Sequence, residues 1–308
     1  MIELALILAR FVHYAAITTL AGASFFPLYA YTGAEPETLA RWRKKLLVGA
    51  AVLALLSGLA WFAFAVANMS GAMADLADSE VVLSVVRDTG FGIVWVMRMA
   101  VASAVVVMAA SQVCPQAGVG RDLVTSLLAA GLLASLAGVG HTQVEEGWTS
   151  VLHVTADAAH LLAAGAWLGA LAPLAFILVW YTGPKPGAVA LDVEHVLLRF
   201  SGMGYGAVAT LVGTGLVNSW LLVGSVSSLF QTTYGRVLLA KLVLFAAMLT
   251  LAAANRFWLV PRMEAARAAG HEFWRGRLRN HVLGEQALGL LVLLSVSVLG
   301  TIRPAIGQ

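Results

Sequence analysis

The sequence predicts an all-α integral membrane protein, eight transmembrane helices built as two parallel four-helix repeats. Three observations carry that prediction: an extreme apolar composition, eight apolar runs of spanning length, and a set of spacings that recurs in the second half of the chain. Of the 308 residues, 60% are hydrophobic and 11% charged, whereas soluble domains carry about a quarter charged residues. Mean hydropathy is +0.86. A soluble fold has too little interior to cover so much apolar surface. The formal net charge of +3 comes from basic residues scattered between apolar runs, a pattern that suits orientation in a bilayer and not a nucleic-acid face. Cys114 is the single cysteine. There is thus no internal disulfide or thiolate cluster, and a metal must find His, Met, carboxylate or backbone ligands. No Gly-x4-Gly-Lys-Ser/Thr signature is present, which argues against direct ATP drive. The chain reads as a membrane protein of transport or scaffolding, not as an enzyme.

A helix crosses the bilayer with about 20 apolar residues. The runs that qualify are Ile2 to Tyr31, Leu46 to Ala67, Phe91 to Ser111, Leu123 to Gly140, His153 to Tyr181, Phe200 to Val223, Gly235 to Trp258 and Val282 to Ile302. The first starts too close to Met1 and runs too long for a cleaved signal peptide, so it is expected to stay in the mature chain. Lys and Arg set the orientation. Arg41, Arg43, Lys44 and Lys45 follow run 1, Arg121 follows run 3, and Lys185 and Arg199 flank the loop after run 5. Arg256, Arg262, Arg267, Arg275, Arg277 and Arg279 follow run 7, which brings these loops to thirteen of the nineteen basic residues. The alternate loops hold Asp75, Asp78, Glu80, Asp88, Glu145 and Glu146, with Arg87 as their one cation. The expected topology is multi-pass, with both termini facing outside, in the periplasm where there is one.

Run 1 reads Arg10-x-x-His13, Gly22, Pro27-Leu28, and run 5 reads Asp157-x-x-His160, Gly169, Pro173-Leu174, with nine residues from His to Gly in both. Run 3 opens Thr89-Gly90-Phe91-Gly92 with Arg98 six residues past Gly92; run 7 opens Thr232-Thr233-Tyr234-Gly235 with Lys241 six past Gly235. Run 4 goes from Arg121 to Gly131-Leu132-Leu133, and run 8 from Arg279 to Gly289-Leu290-Leu291, ten residues each. Matches in the same order predict one four-helix half over residues 1–145 and another over 146–308. The halves are parallel because four crossings return the chain to its starting side. The competing reading is chance alignment of apolar, low-complexity sequence.

The stretch Gly140-His141, His153-x3-Asp157-x2-His160-Leu161-Leu162, Trp167-Leu168-Gly169 resembles the signature of CopD-type copper resistance proteins. So do Thr214-Gly215-x2-Asn218, Tyr234-Gly235-Arg236-x4-Lys241, Asn255-Arg256 and Pro261, together with Thr89-x-Phe91-Gly92-x2-Trp95-x2-Arg98 in the first half. The ordered set spans nearly the whole chain. The resemblance implies an inner-membrane protein that moves copper inward and pairs with a periplasmic copper binder of CopC type. This chain has no CopC-like β-domain, so that partner is expected as a separate polypeptide.

His153, Asp157 and His160 stand at i, i+4 and i+7, on one helical face. His141 ends run 4, just across a short loop. Imidazole is a common copper ligand, and a carboxylate one turn away can fix its tautomer. His13, the expected symmetry mate of His160 on the axis between the halves, completes the candidate copper site. At about 1.5 Å per residue, His160 lies roughly 10 Å and His13 roughly 16 Å from the outer ends of their runs. The plainer reading makes His141 and His153 ordinary interfacial histidines and pairs Asp157 with a membrane Arg or Lys. Arg10, Arg98 and Lys241 fall at a similar depth and repel a cation unless they snorkel outward or hold an anion such as haem propionates. The alternative function is therefore a redox protein that binds haem b through His13 and His160 as axial ligands. Met69 and Met73, four residues apart at the outer end of run 2, are thioether candidates for Cu(I).

Overall fold

A computed structural model of the chain describes residues 1–33, 35–111, 119–139, 147–180, 191–266 and 271–307. Among them the regular structure is helical, with no strand. Eight of these helices are long and apolar enough to cross a membrane: Ile2–Ala30 (span 1), Glu37–Ser70 (span 2), Gly90–Ser111 (span 3), Gly120–Gly138 (span 4), Gly147–Trp180 (span 5), Val193–Val223 (span 6), Thr233–Ala265 (span 7) and Glu272–Leu299 (span 8). Every expected run is there. An even number of crossings puts both termini on one face, called the terminal face below.

Spans 2, 6 and 8 begin nine, seven and ten residues before their apolar runs. Hydropathy registers only the lipid-facing length, while the backbone stays helical beyond it because its polar groups still need partners. Glu37, Glu194 and Glu272 in the first turns suit the positive end of the helix dipole. Arg41, Arg43, Lys44 and Lys45 therefore lie on span 2 and not in a loop. Arg43 is buried: its Nε donates to Glu35 Oε1 at 2.9 Å and its Nη2 to Oε2 at 2.8 Å, with Asp122 Oδ1 at 3.6 Å. Burial and the Glu35 carboxylate hold the Tyr31 phenol above its ordinary value.

Each set of four spans has its own apolar core, one around Ile17, Leu20, Leu47, Leu132 and Leu133, the other around Trp167, Leu171, Leu174, Met248 and Leu259. Spans 1 and 5 join them, and their crossing admits only small residues. A Cβ on Gly22 would lie 2.4 Å from the Gly165 carbonyl oxygen, and a Cβ on Gly169 would lie 1.9 Å from that of Thr18. Thr18 and Gly165 each stand four residues before the glycine of their own span. The contacts are thus reciprocal.

The entrances to spans 3 and 7 share a second device. The short helices Ser79–Asp88 and Val226–Gln231 lie across them. Thr89 Oγ1 accepts from Gly92 N at 2.9 Å, and Thr232 Oγ1 accepts from Gly235 N at 3.0 Å. Both glycines press on the short helix: a Cβ would meet the Val85 carbonyl oxygen at 2.2 Å in one case and that of Ser228 at 2.3 Å in the other.

Spans 5 and 7 each contain a π turn, Gly165–Gly169 and Asn255–Leu259. A proline follows each, Pro173 and Pro261, and has no N–H for the carbonyl four residues earlier, Gly169 or Phe257. That carbonyl lies in the π turn in both cases, where the hydrogen-bond register is already shifted.

Candidate functional site

His13 and His160 sit in clusters of matching design. His13 is fully buried, with Nδ1 2.9 Å from the Ala54 carbonyl oxygen and 3.2 Å from Ser57 Oγ. A carbonyl only accepts, so Nδ1 carries the proton and Nε2 is the acceptor. Nε2 takes its hydrogen bond from Arg98 Nη2 at 2.7 Å. Arg98, itself buried, also donates from Nη1 to the Leu132 carbonyl at 3.0 Å and to Ser135 Oγ at 2.6 Å. Trp61 covers the cluster, its ring centroid 5.5 Å from that of His13 and 5.2 Å from the Arg10 guanidinium. Arg10 in turn donates to the Gly300 carbonyl at the end of span 8, 2.7 Å away, and to the Tyr14 hydroxyl at 3.0 Å. Neither arginine snorkels. One caps the negative end of a helix and the other locks a histidine.

In the second half, Thr214 Oγ1 lies 2.9 Å from His160 Nδ1 and gives its own proton to the Thr210 carbonyl at 2.6 Å. It must therefore accept from Nδ1–H. The lone pair of His160 is left on Nε2, to which none of the described residues donates a hydrogen bond. Asp157, one turn earlier, accepts from Asn218 Nδ2 at 3.1 Å. Lys241 lies close enough for its charge to act on both Asp157 and His160. It makes no ion pair within 4.0 Å among the described residues.

The two clusters correspond position by position. Ser57-Gly58-x-x-Trp61 on span 2 and Thr214-Gly215-x-x-Asn218 on span 6 both put a hydroxyl on the histidine Nδ1 and a glycine against its Cε1. Their last residue meets the side chain three before the histidine, Trp61 over Arg10 and Asn218 on Asp157. The sequence reading missed Ser57 altogether. Its signal was the Ser/Thr-Gly pair shared by the two spans.

The structure places several other expected residues differently. His13 and His160 do not meet on an axis between the halves, because each turns into its own half. Nine residues at about 100° each amount to two and a half turns, so on span 1 His13 points away from Gly22, which holds the span 1–span 5 crossing. Span 5 packs against span 6 along Gly147–Ala164 and reaches span 1 chiefly at the π turn and in the segment beyond it. This geometry does not suit axial ligation of one haem, and His13 has both ring nitrogens engaged. Span 5 starts at Gly147, which sets His160 about 20 Å from the terminal end of its span and close to the level of His13. His153, interfacial in the plainer reading of the sequence, is buried, on the same helical face as Asp157 and His160. His141 lies outside the described residues. Among those described, no three His, Cys, Asp or Glu side chains converge as a metal cage. Met69 and Met73 do not share a helical face, because Gly71, at φ 95°, ends span 2 between them. Glu285, a lone carboxylate in the apolar run of span 8, was passed over although it is 2% exposed; an ionisable residue inside a span is itself a signal of function.

Residues 1–152 match the family model described as copper resistance protein D-like, N-terminal domain, and residues 194–299 match the one described as copper resistance protein D. Copper resistance protein D of Pseudomonas syringae pv. tomato is 35% identical over 307 residues, covering 97% of this chain and 96% of the relative. Inner membrane protein YebZ of Escherichia coli (strain K12) is 31% identical over 297 residues, 96% of this chain and 97% of the relative. Copper transport protein CutJ of Bacillus subtilis (strain 168) is 27% identical over 295 residues, 94% of this chain but 51% of the relative. No solved structure matches.

Proposed function

We propose that this chain, which belongs to the copper resistance protein D family, takes up copper at a site in its second half centred on His160 and passes it across the membrane. One observation carries this. His160 commits its Nδ1 proton to Thr214 and, among the described residues, keeps the Nε2 lone pair uncommitted, the arrangement in which an outer hydrogen bond orients a ligating imidazole. Its counterpart His13 has spent the same lone pair on Arg98. His153 and Asp157 share that helical face, and His141 follows span 4 nearby in sequence; these are the further candidate ligands. The copper assignment rests on the names of the relatives, as does an inner-membrane location. Inward movement, termini on the outer side and delivery by a separate chaperone of CopC type complete the reading.

The reciprocal glycine crossing is the contact that a twofold axis generates. With the paired clusters and the paired entrances to spans 3 and 7, it supports two parallel halves, 1–145 and 146–308. In this arrangement the first half keeps the scaffold of the site with its ligand position closed by Arg98, and the second keeps it open.

A copper titration of the purified protein tests the site. His160→Ala is expected to abolish binding. Thr214→Val should weaken it about 10 to 100-fold by releasing the tautomer, Asp157→Asn should act less than loss of a ligand, and His13→Ala should leave affinity unchanged. Acid pH should weaken binding in the wild type, because a protonated imidazole has no lone pair for the metal. Undiminished copper binding by His160→Ala overturns the proposal. A Soret band in the wild type that disappears in this variant would reassign the site to haem.

A further inference from the structure

Fourteen residues beyond Lys241 along span 7, about 21 Å, a second polar cluster lies in the bundle of spans 5 to 8. Glu285 of span 8 accepts from Asn255 Nδ2 at 2.5 Å, and Trp167 lines the same cavity. Both neighbours come from π turns, Asn255 from that of span 7 and Trp167 from that of span 5. Such turns recur at functional sites. Among the described residues, no Lys, Arg or His stands within ion-pair distance of Glu285. Asn255 Oδ1, an acceptor beside the carboxyl group, is buried without a hydrogen-bond partner. The cluster lines a cavity of about 210 Å³ that also touches Ser201 and Arg256 and reaches the protein surface at the exposed Tyr205 and Phe257. At about 30 Å³ per molecule the cavity has room for several waters.

A carboxylate at this depth needs a positive partner, and none of the described residues forms an ion pair with it. Two ligands remain, a metal cation or a proton. The donor set disfavours copper, which prefers nitrogen and sulfur to carboxylate and amide oxygen. So does Arg256, whose Nε is buried and unpartnered on the same wall. We propose that Glu285 is an intramembrane proton-carrying residue that gains and loses its proton through the cavity beside it. Asn255 serves both states. Its Nδ2 donates to the ionised carboxylate, and after the amide rotates, its Oδ1 accepts the O–H of the protonated acid. The proton comes from cavity water and returns to it, so no other reactant is needed.

Infrared spectroscopy of the protein in lipid tests this without copper, so its outcome is independent of the His160 assignment. A carbonyl band of a protonated carboxylic acid is expected in the wild type, shifting on exchange into D2O and missing from Glu285→Gln. Asn255→Leu should keep the band but move it, because the carboxyl group loses its amide partner; this variant decides the matter if Glu285→Gln fails to fold. A wild-type spectrum without such a band, or one that Glu285→Gln leaves unchanged, overturns the proposal. Metal bound by the wild type and lost in Glu285→Gln, with no acid band, overturns it in favour of a metal station.

Discussion

Arg98 touches three acceptors with one guanidinium: the Leu132 carbonyl, Ser135 Oγ and His13 Nε2. The planar fork meets acceptors in different directions at once, which an ammonium on a flexible stem does not. Arg98→Ala strands those acceptors in the interior, at about 1–3 kcal/mol each before relaxation. The expected result is a large fall in thermal stability with copper affinity unchanged, and Arg98→Lys should restore only part of the loss. Calorimetry and a copper titration in parallel check both halves of this expectation; weaker copper binding at intact stability would contradict it. At this scale the sequence was legible in part. The intramembrane location of His13, Arg98, Asp157 and His160 marked them, because charge and imidazole are costly in hydrocarbon. Their partners were not marked. Ser57, Ala54 and Leu132 contribute a hydroxyl and two carbonyls, groups that every span offers in number, and only the fold selects among them.

At the scale of elements, glycines decide where helices meet. Gly169→Ala puts a methyl group 1.9 Å from a backbone oxygen of span 1, and backbone has little freedom to yield. Overpacking of this kind costs about 1–3 kcal/mol. Gly92→Ala and Gly235→Ala should behave alike, since each drives a Cβ into the short helix that crosses its span entrance, whereas Gly131→Ala, with nothing within 4 Å, should be neutral. Unfolding midpoints of the four variants check the ranking, and a harmless Gly169→Ala would show that the spans cross elsewhere. The eight runs were readable because hydropathy has a fixed length scale in a bilayer. The helical extensions at Glu37, Val193 and Glu272 were not, since charged helix and charged loop look alike to that scale. The π turns at Gly165 and Asn255 were hidden for another reason: Pro173 and Pro261 announce a break in the ladder but not the form it takes.

At the scale of the whole molecule, the two polar clusters divide the second half by depth, His160 nearer the terminal face and Glu285 farther from it. That order has functional meaning only once the faces are assigned, and loop charge assigns them. Arg43 leaves the count of surface cations because it is buried against Glu35. Arg41, Lys44, Lys45, Arg121, Arg262, Arg275, Arg277 and Arg279 still cluster away from the termini, while Asp75, Asp78, Glu80 and Asp88 lie at the terminal face. Basic residues held on the cytoplasmic side are the basis of the proposed orientation, with the termini outside; in that orientation copper would meet His160 from the periplasm and Glu285 would lie toward the cytoplasm. A reporter active only in the cytoplasm should be silent when fused after Gln308 and active when fused after Ala266, at the far end of span 7. The reverse pattern would turn the molecule over, with His160 then accepting copper from the cytoplasm and the proposed uptake becoming export. Activity at both points would instead mean that an even number of crossings lies between them, and the eight-span topology itself would fall.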